Sequence, residues 1–160
     1  MRVAVLTISD AAARGERHDL SGDEIVRWVD ARGWRVAERA LVPDERPEIS
    51  ATLARWADDD RADLVLTTGG TGLTDRDITP EATAEILERT APGIPEAMRV
   101  AVVGRFPRAA LSRGVAGVRK RTLIINLPGS PSGVRDGLSV LDGLAGHAVE
   151  LVRGTHTSHE

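Results

Sequence analysis

The chain of 160 residues contains no cysteine and very few aromatic residues. Without cysteine, the protein has no disulfide, no thiolate metal ligand and no cysteine nucleophile. Aromatic residues make up 2% of the sequence, as three Trp, one Phe and no Tyr. That leaves no stacking platform of the kind that single-strand nucleic-acid-binding proteins use. These absences exclude thiol chemistry and argue against base stacking.

The chain also lacks an excess of positive charge. Its net charge is −3 and its isoelectric point is near 5.8, whereas nucleic-acid and anionic-membrane surfaces are usually basic. One basic cluster, Arg119–Arg121, lies between two apolar runs and is interpreted as a solvent-facing turn. No run of about 18 apolar residues exists, and the N-terminus shows no signal-peptide pattern. We therefore expect a cytoplasmic protein with no nucleic-acid or membrane partner.

Apolar runs and helix signals alternate along the chain. Its length, with 41% hydrophobic and 28% charged residues, is typical of one globular domain with a single core. Alternating strands and helices favour an α/β fold with a largely parallel sheet. Strands are predicted at 2–8, 34–42, 64–67 and 122–127; helices at 21–32, from Pro47, at 80–89, at 95–103 and at 134–152; a polar loop at 11–19; segments 109–111 and 115–118 stay ambiguous.

A glycine cluster follows the third predicted strand. Gly69, Gly70 and Gly72 occupy three of four positions, so the backbone can turn sharply and approach a ligand closely. Successive N–H groups in such a loop can form an anion site. Asp77 comes just after the loop, and its carboxylate could hold the Mg²⁺ that accompanies a phosphate. The pattern predicts a nucleotide or phosphate site at the end of a strand.

Two well-known phosphate motifs do not match. A Walker loop requires Gly-Lys-Ser/Thr, but Leu73 follows Gly72. A dinucleotide fingerprint requires a third glycine, and Asp75 occupies its position. The four histidines show no metal-ligand spacing. Any nucleotide that binds this loop therefore binds in another way.

Simpler interpretations of single residues stay open. The glycine cluster is also compatible with plain turn geometry, although the acids beside it favour a binding site. Asp44 follows Pro43 and has the form of a turn residue. Ser112 fits a surface or capping serine, and Asn126 could satisfy a local backbone group. The loops after three strands, at 9–10, 69–77 and 128–132, are nevertheless expected to meet at one edge of the sheet.

Seven segments together resemble the molybdopterin adenylyltransferase family of molybdenum-cofactor biosynthesis. The similarity covers nearly the whole chain, in the family's order and at about its spacing. The segments are Thr7–Asp10, Asp19–Gly22, Val42–Glu45, Leu66–Gly72, Arg76–Thr83, Leu111–Arg113 and Leu123–Ser130.

The resemblance implies a three-layer α/β/α domain with a mostly parallel, mixed central sheet, usually in a homotrimer. It makes residues 1–153 one molybdopterin-binding domain, followed by a polar tail at 154–160. It also implies that AMP passes from Mg²⁺-bound ATP to the terminal phosphate of molybdopterin, with release of pyrophosphate. The catalytic residues are then Asp44, Asp77 and Ser112, and the two aspartates are the metal ligands. The implied substrate-binding residues are Ser9, Asp10, Ser21, Thr68, Gly69, Gly70, Thr71, Gly72, Asn126, Pro128, Gly129 and Ser130.

This chemistry suits the residues. Two polyanions must meet, so charge neutralisation and alignment dominate the barrier. Asp44 and Asp77 would hold Mg²⁺ between the ATP phosphates, and Arg76 could add a contact to phosphate or simply pair with Asp75. No general base is needed, because a phosphate nucleophile is already ionised at pH 7.

Three other functions are compatible with parts of the pattern. A sister, MoaB-type branch suggests a non-catalytic pterin-binding protein, and a scaffolding module would keep the pocket without the chemistry. A phosphohydrolase would require a general base, for which Asp75 is the nearest candidate. A molybdate-inserting enzyme is a further expected partner of the pathway.

Overall fold

Four parallel strands form the centre of the sheet and end at one edge. The computed structural model describes residues 1–155, so most of the predicted tail lies outside it. The sheet has the order β2-β1-β3-β6-β5-β4 and is parallel except for β5 and β4. The strands are β1 (Arg2–Ile8), β2 (Arg35–Val42), β3 (Leu64–Thr68), β4 (Arg89–Thr90), β5 (Ala116–Arg119) and β6 (Thr122–Leu127). The helices are α1 (Asp10–Ala13), α2 (Leu20–Ala31), α3 (Arg46–Asp58), α4 (Thr79–Ala84), α5 (Gly93–Val103), α6 (Pro131–Leu141) and α7 (Ala145–Arg153), with a 3₁₀ helix at Pro107–Leu111.

Side chains alternate across the sheet and build a core on each face. Val3 and Val5 of β1 pack in the core formed with α2, α5, α6 and α7. Ala4, Leu6 and Ile8 of the same strand pack with α3 and α4. Both faces of the central strands are thus covered, as expected for a parallel sheet. The predicted three-layer α/β/α fold with a mixed sheet is confirmed.

The helix predicted at 80–89 is shorter in the structure. α4 ends at Ala84, and Arg89–Thr90 forms an edge strand paired antiparallel to β5. Gly117 of β5 makes this possible, because a Cβ there would collide with the carbonyl oxygen of Arg89. Pairing with a strand distant in sequence therefore overrides the local helical pattern.

The long C-terminal helix predicted at 134–152 is two helices. α6 already begins at Pro131, capped by Ser130, and the chain breaks near Asp142. The Asp142 carboxylate accepts a hydrogen bond from Trp28 Nε1 at 2.7 Å and pairs with Arg32. The break thus places Asp142 in contact with Trp28 and Arg32, a contact that the sequence pattern does not reveal.

Smaller differences concern helix ends and polar runs. α2 begins at Leu20, one residue before the predicted start at Ser21, and Asp19 caps it. The predicted polar loop at 11–19 contains most of the short helix α1. Among residues 1–155, no helix is long and apolar enough to cross a membrane. Of the basic cluster at 119–121, Lys120 and Arg121 form the predicted exposed turn between β5 and β6, whereas Arg119 is the last residue of β5 and bonds Asp58.

An ionic network ties together the edge of the sheet opposite the strand ends. Asp63 accepts hydrogen bonds from the backbone N–H of Arg2 at 2.7 Å and from Arg2 Nη2 at 2.8 Å. Arg153 lies 3.2 Å from the same carboxylate and pairs with Asp60 at 2.7 Å. Hydrogen bonds from Arg153 lower the pKa of Asp60 to about 2. Burial opposes ionisation of Asp63, but the hydrogen bonds from Arg2 together outweigh it, so the pKa of Asp63 is also lowered.

We expect Asp63→Asn to lower the free energy of unfolding by about 2 kcal/mol at pH 7, because an amide cannot accept both sets of bonds in this largely buried position. Both carboxylates have folded pKa values below their unfolded values. Their stabilisation is therefore present above about pH 4 and is lost as the pH falls through their lowered folded pKa values, which for Asp60 is about 2. Urea unfolding of both proteins at pH 7 and pH 3 tests this. A difference that does not shrink at pH 3 would contradict it.

Candidate functional site

A cavity of about 370 Å³ opens at the carboxyl ends of the parallel strands, where ligands of open α/β sheets bind. It is called the glycine-loop cavity below. Nine of the predicted site residues line it: Ser9, Ser21, Asp44, Thr68, Gly69, Gly70, Asp77, Gly129 and Ser130. Arg17, His18 and Asp19, which the sequence analysis did not single out as site residues, line it as well.

The glycine loop adopts a conformation that requires glycine. Gly69 and Gly70 have φ angles of +100° and +67°, which other L-residues rarely adopt. A Cβ on Gly69 would collide with the carbonyl oxygen of Ile8. In the part of the chain that the structure describes, the N–H groups of Gly70, Thr71 and Gly72 donate to no acceptor. Such unused N–H groups suit an anionic oxygen.

The two predicted aspartates reach this cavity from different loops. The Asp44 carboxylate accepts from the N–H of Asp10 at 2.9 Å, and the Asp10 carboxylate accepts from the N–H of Asp44 at 2.9 Å. Asp77 accepts from the N–H and hydroxyl of Thr74 at 2.9 and 2.8 Å. Burial, followed by the nearby charges of Asp10 and Asp77, raises the pKa of Asp44. The two carboxylates are therefore close enough to repel each other.

The donor set fits a magnesium ion held jointly by protein and phosphate. Among residues 1–155, no group of three His, Cys, Asp or Glu side chains could hold a metal alone, but Mg²⁺ commonly takes one or two carboxylates and completes its shell with phosphate and water. The glycines leave space for such an ion beside the two carboxylates. A Cβ on Gly70 would lie 3.0 Å from Asp44 Oδ1, and one on Gly72 would lie 2.8 Å from Asp77 Oδ2.

A buried hydroxyl lies beside the same loop. Thr79, at the first position of α4, is 0% exposed. Within the described chain, its Oγ1 is the one buried side-chain polar atom without a hydrogen-bond partner. A Cβ on Gly70 would contact this oxygen. A hydroxyl left unpaired in a protein interior is costly, and this one faces the backbone of the predicted phosphate loop.

Arg76 pairs with acids of two other loops rather than with Asp75. It donates to both carboxylate oxygens of Asp10 at 3.0 Å and to Glu45 at 2.9 Å. The Asp10 carboxylate is consequently engaged by protein on both oxygens. Asp10 does not line the cavity, and its contacts hold the loop of Asp44 in place.

Two predicted substrate-binding hydroxyls hold the second loop of the site. Ser21 donates to the carbonyl of Gly129 at 2.7 Å, and Thr68 donates to the carbonyl of Pro128 at 2.6 Å. Ser9 caps α1 by accepting from the N–H of Ala12 at 3.2 Å. In this structure these three side chains therefore bond the protein itself while lining the cavity.

A second cavity of about 570 Å³ adjoins the first and is called the α5 cavity below. Ser112, Asn126, Pro128 and Ser130 line it, and Ser130 lines both cavities. Its other walls include Met98, Val102, Phe106, Arg99, Arg105 and Arg108. Ser112 therefore lies in a different cavity from the two aspartates, with the 128–130 segment between them.

Asn126 is 2% exposed, and its amide is fully engaged. Its Nδ2 donates to the hydroxyls of Thr67 and Thr83 at 2.9 and 3.0 Å, and its Oδ1 accepts from the N–H of Val115 at 3.1 Å. The last contact satisfies a backbone group, as the sequence allowed, but the group lies 11 residues away in sequence and is not a local one. A substrate-binding role for Asn126 stays a prediction.

Arg113 has a structural role that was not predicted from the sequence. It bonds the carbonyls of Gly72 and Asp77, and its charge pairs with Glu81. Only its place after Ser112 in a recognised segment singled it out. A side chain whose partners are backbone carbonyls leaves no distinctive sequence signal.

The fold and this geometry define a class: a three-layer α/β domain with a glycine-built anion loop and two aspartates at its carboxyl edge. The chain belongs to the family described as the probable molybdopterin binding domain, which it matches over residues 4–142.

Curated relatives in this family are similar over most of their length. The chain is 39% identical to the molybdopterin adenylyltransferase of Helicobacter pylori strain J99, covering 98% of this chain and 90% of that protein. It is 37% identical to the molybdopterin adenylyltransferase of Escherichia coli K12, covering 93% and 77%.

Solved structures of related proteins have the same fold. The molybdopterin biosynthesis enzyme MoaB of Thermus thermophilus is 52% identical, with a TM-score of 0.91 over 96% of both chains. The Mog protein of Mycobacterium ulcerans is 41% identical, with a TM-score of 0.87 over 94% of this chain and 97% of that one. The chain thus has relatives in both the Mog and the MoaB branches.

Proposed function

We propose that this protein is a molybdopterin adenylyltransferase. It transfers AMP from ATP to the terminal phosphate of molybdopterin and releases pyrophosphate. The observation that carries the proposal is that Asp44 and Asp77 line one cavity beside a glycine loop with unused N–H groups. The curated relatives that bear this name supply the identity of the substrates.

The reaction is a substitution at the α-phosphorus of ATP. An oxygen of the molybdopterin phosphate forms the new P–O bond, and the bond to the bridging α,β-oxygen breaks, so that pyrophosphate leaves with the electron pair. No proton must be removed from the nucleophile. The N–H groups of Gly70, Thr71 and Gly72 orient and stabilise phosphate oxygens as charge develops.

Asp44 and Asp77 are the proposed metal ligands. Bound Mg²⁺ supplies charge neutralisation for the phosphates and the leaving pyrophosphate. The chain's part is to hold both carboxylates in place. Asp10 fixes Asp44 through two backbone–carboxylate hydrogen bonds of 2.9 Å, and Thr74 fixes Asp77.

Two adjoining cavities suit two substrates that each carry a ring system. The phosphates lie along the glycine loop, and the 128–130 segment, which Ser21 and Thr68 hold by its carbonyls, separates the ring-binding regions. Ser112 contributes from the α5 cavity. In this proposal residues 1–153 act as one molybdopterin-binding domain.

The experiment that tests the proposal incubates the purified protein with molybdopterin, ATP and Mg²⁺. We expect adenylyl-molybdopterin, detected by its mass, in an amount equal to the pyrophosphate released, and no product when EDTA replaces the metal. Pterin binding without any product would instead indicate a non-catalytic, MoaB-type or scaffolding protein. The presence of both aspartates favours catalysis.

A homotrimer in the cytoplasm completes the proposal. Exposed apolar side chains on α5, on the following 3₁₀ helix and between the two support an assembly, since Val100, Leu111 and Phe106 are each more than half exposed. A molybdate-inserting enzyme would use the adenylylated product. These partners stay predictions of the family resemblance.

A further inference from the structure

Arg113 holds both ends of the loop that carries Asp77. Its Nε donates to the carbonyl of Gly72 at 2.7 Å, and its Nη2 donates to the carbonyl of Asp77 at 2.6 Å. Its Nη1 pairs with the carboxylate of Glu81 on α4. One guanidinium group therefore closes the loop from 72 to 77 and attaches it to the following helix.

The backbone of the same residue continues this connection. The N–H of Arg113 donates to the carbonyl of Thr71 at 2.9 Å. Ser112, its neighbour, lines the α5 cavity. Arg99 of α5 donates to the carbonyls of Ser112 and Gly114 at 3.2 Å each. A continuous set of hydrogen bonds thus runs from the wall of the α5 cavity to the backbone of Asp77.

We propose that Arg113 is a positioning residue that sets the place of the Asp77 carboxylate and links the two cavities. This inference rests on the proposed function, because Asp77 is a metal ligand only there. A displacement of Ser112 in the α5 cavity is transmitted to Asp77 by the Arg113 guanidinium, because this planar group has fixed donor directions. Lysine has the same charge but cannot bond both carbonyls and Glu81 in this geometry.

The test measures the binding of Mn²⁺·ATP to the full chain by titration calorimetry, without molybdopterin. We expect Arg113→Lys to raise the dissociation constant about tenfold, the usual effect of losing a group that orients a metal ligand. In a chain that already carries Asp77→Asn, the same change should raise it less than about twofold, because the two residues act as a unit. Additive effects would overturn the inference.

Arg119 provides a matched control. It donates to both carboxylate oxygens of Asp58 at 2.9 Å and to the carbonyl of Ile86 at 2.9 Å, with no contact to either cavity. Arg119→Lys should lower the thermal midpoint as Arg113→Lys does and leave Mn²⁺·ATP binding unchanged. An equal loss of binding in both variants would show a general effect of stability and overturn the inference.

If Arg113→Lys does not fold, Glu81→Ala takes its place. Releasing the guanidinium from α4 should weaken Mn²⁺·ATP binding about threefold, within the range of a partly exposed ion pair; unchanged binding would overturn the inference. Wild-type protein that binds Mn²⁺·ATP but forms no adenylyl-molybdopterin would refute the proposed function and leave the role of Arg113 intact. Unaltered binding by Arg113→Lys would refute only the role of Arg113.

Discussion

Asp77→Asn is expected to lower adenylylation at least about a hundredfold while leaving the fold intact. The amide keeps the shape of the side chain. Its oxygen can still accept from the N–H and hydroxyl of Thr74, which bond Asp77 Oδ2 in the wild type. What the variant loses is one negative charge in the glycine-loop cavity. Because Mg²⁺ draws few ligands from protein, the loss of one carboxylate removes half of the proposed set.

Stability should not fall together with activity. The charge of Asp77 contributes to the raised pKa of Asp44, after burial and Asp10. A carboxyl group with a raised folded pKa costs stability at pH values above that pKa. Removing the neighbouring charge lessens this cost, so the thermal midpoint of metal-free Asp77→Asn should equal or slightly exceed that of the wild type at pH 7.

Asp75→Asn is the matched control for this prediction. It removes the same charge two residues away, on an exposed side chain that does not line the cavity. Initial rates of pyrophosphate release for the two variants, measured across a range of Mg²⁺ concentrations, distinguish a ligand from a nearby charge. Wild-type rates for Asp77→Asn, or an equal loss for Asp75→Asn, would refute the metal-ligand assignment.

Gly69→Ala is expected to lower the free energy of unfolding by about 3–4 kcal/mol, a value that marks severe backbone conflict. The φ angle of +100° at Gly69 is strained for alanine. In addition, the new methyl group would collide with the carbonyl oxygen of Ile8 in the central strand β1. A backbone atom of a buried strand cannot move aside as a flexible side chain can, so the loop must shift and adenylylation should fall as well.

Gly33→Ala separates the two causes. Gly33 has a φ angle of +66°, and a Cβ there would meet nothing within 4 Å. Its cost should be about 1 kcal/mol, the penalty of the left-handed conformation alone. Chemical unfolding of both variants gives the comparison. Equal losses for Gly33→Ala and Gly69→Ala would show that the close approach to β1 has no energetic importance.

The sequence alone determined the layers and the edge where the site lies. Apolar runs such as 2–8 and 122–127 are buried strands because their residues must be covered on both faces, and the parallel order that follows places their carboxyl ends together. The glycine cluster was recognisable because positive φ angles and close backbone approach demand glycine. Asp77 was recognisable because it comes just after that cluster. The Asp44 assignment rested on the family resemblance, since an aspartate after proline has an ordinary local explanation.

Only the tertiary structure decided what each side chain bonds. It engaged Asp10 with the N–H of Asp44, divided the predicted residues between two adjoining cavities, and gave Arg113 its three partners. It also ended α4 early and split the last helix, where pairing of β4 with β5 and the contact of Asp142 with Trp28 prevailed over local helical pattern. These outcomes depend on groups distant in sequence, and a pattern of neighbouring residues carries no information about such partners.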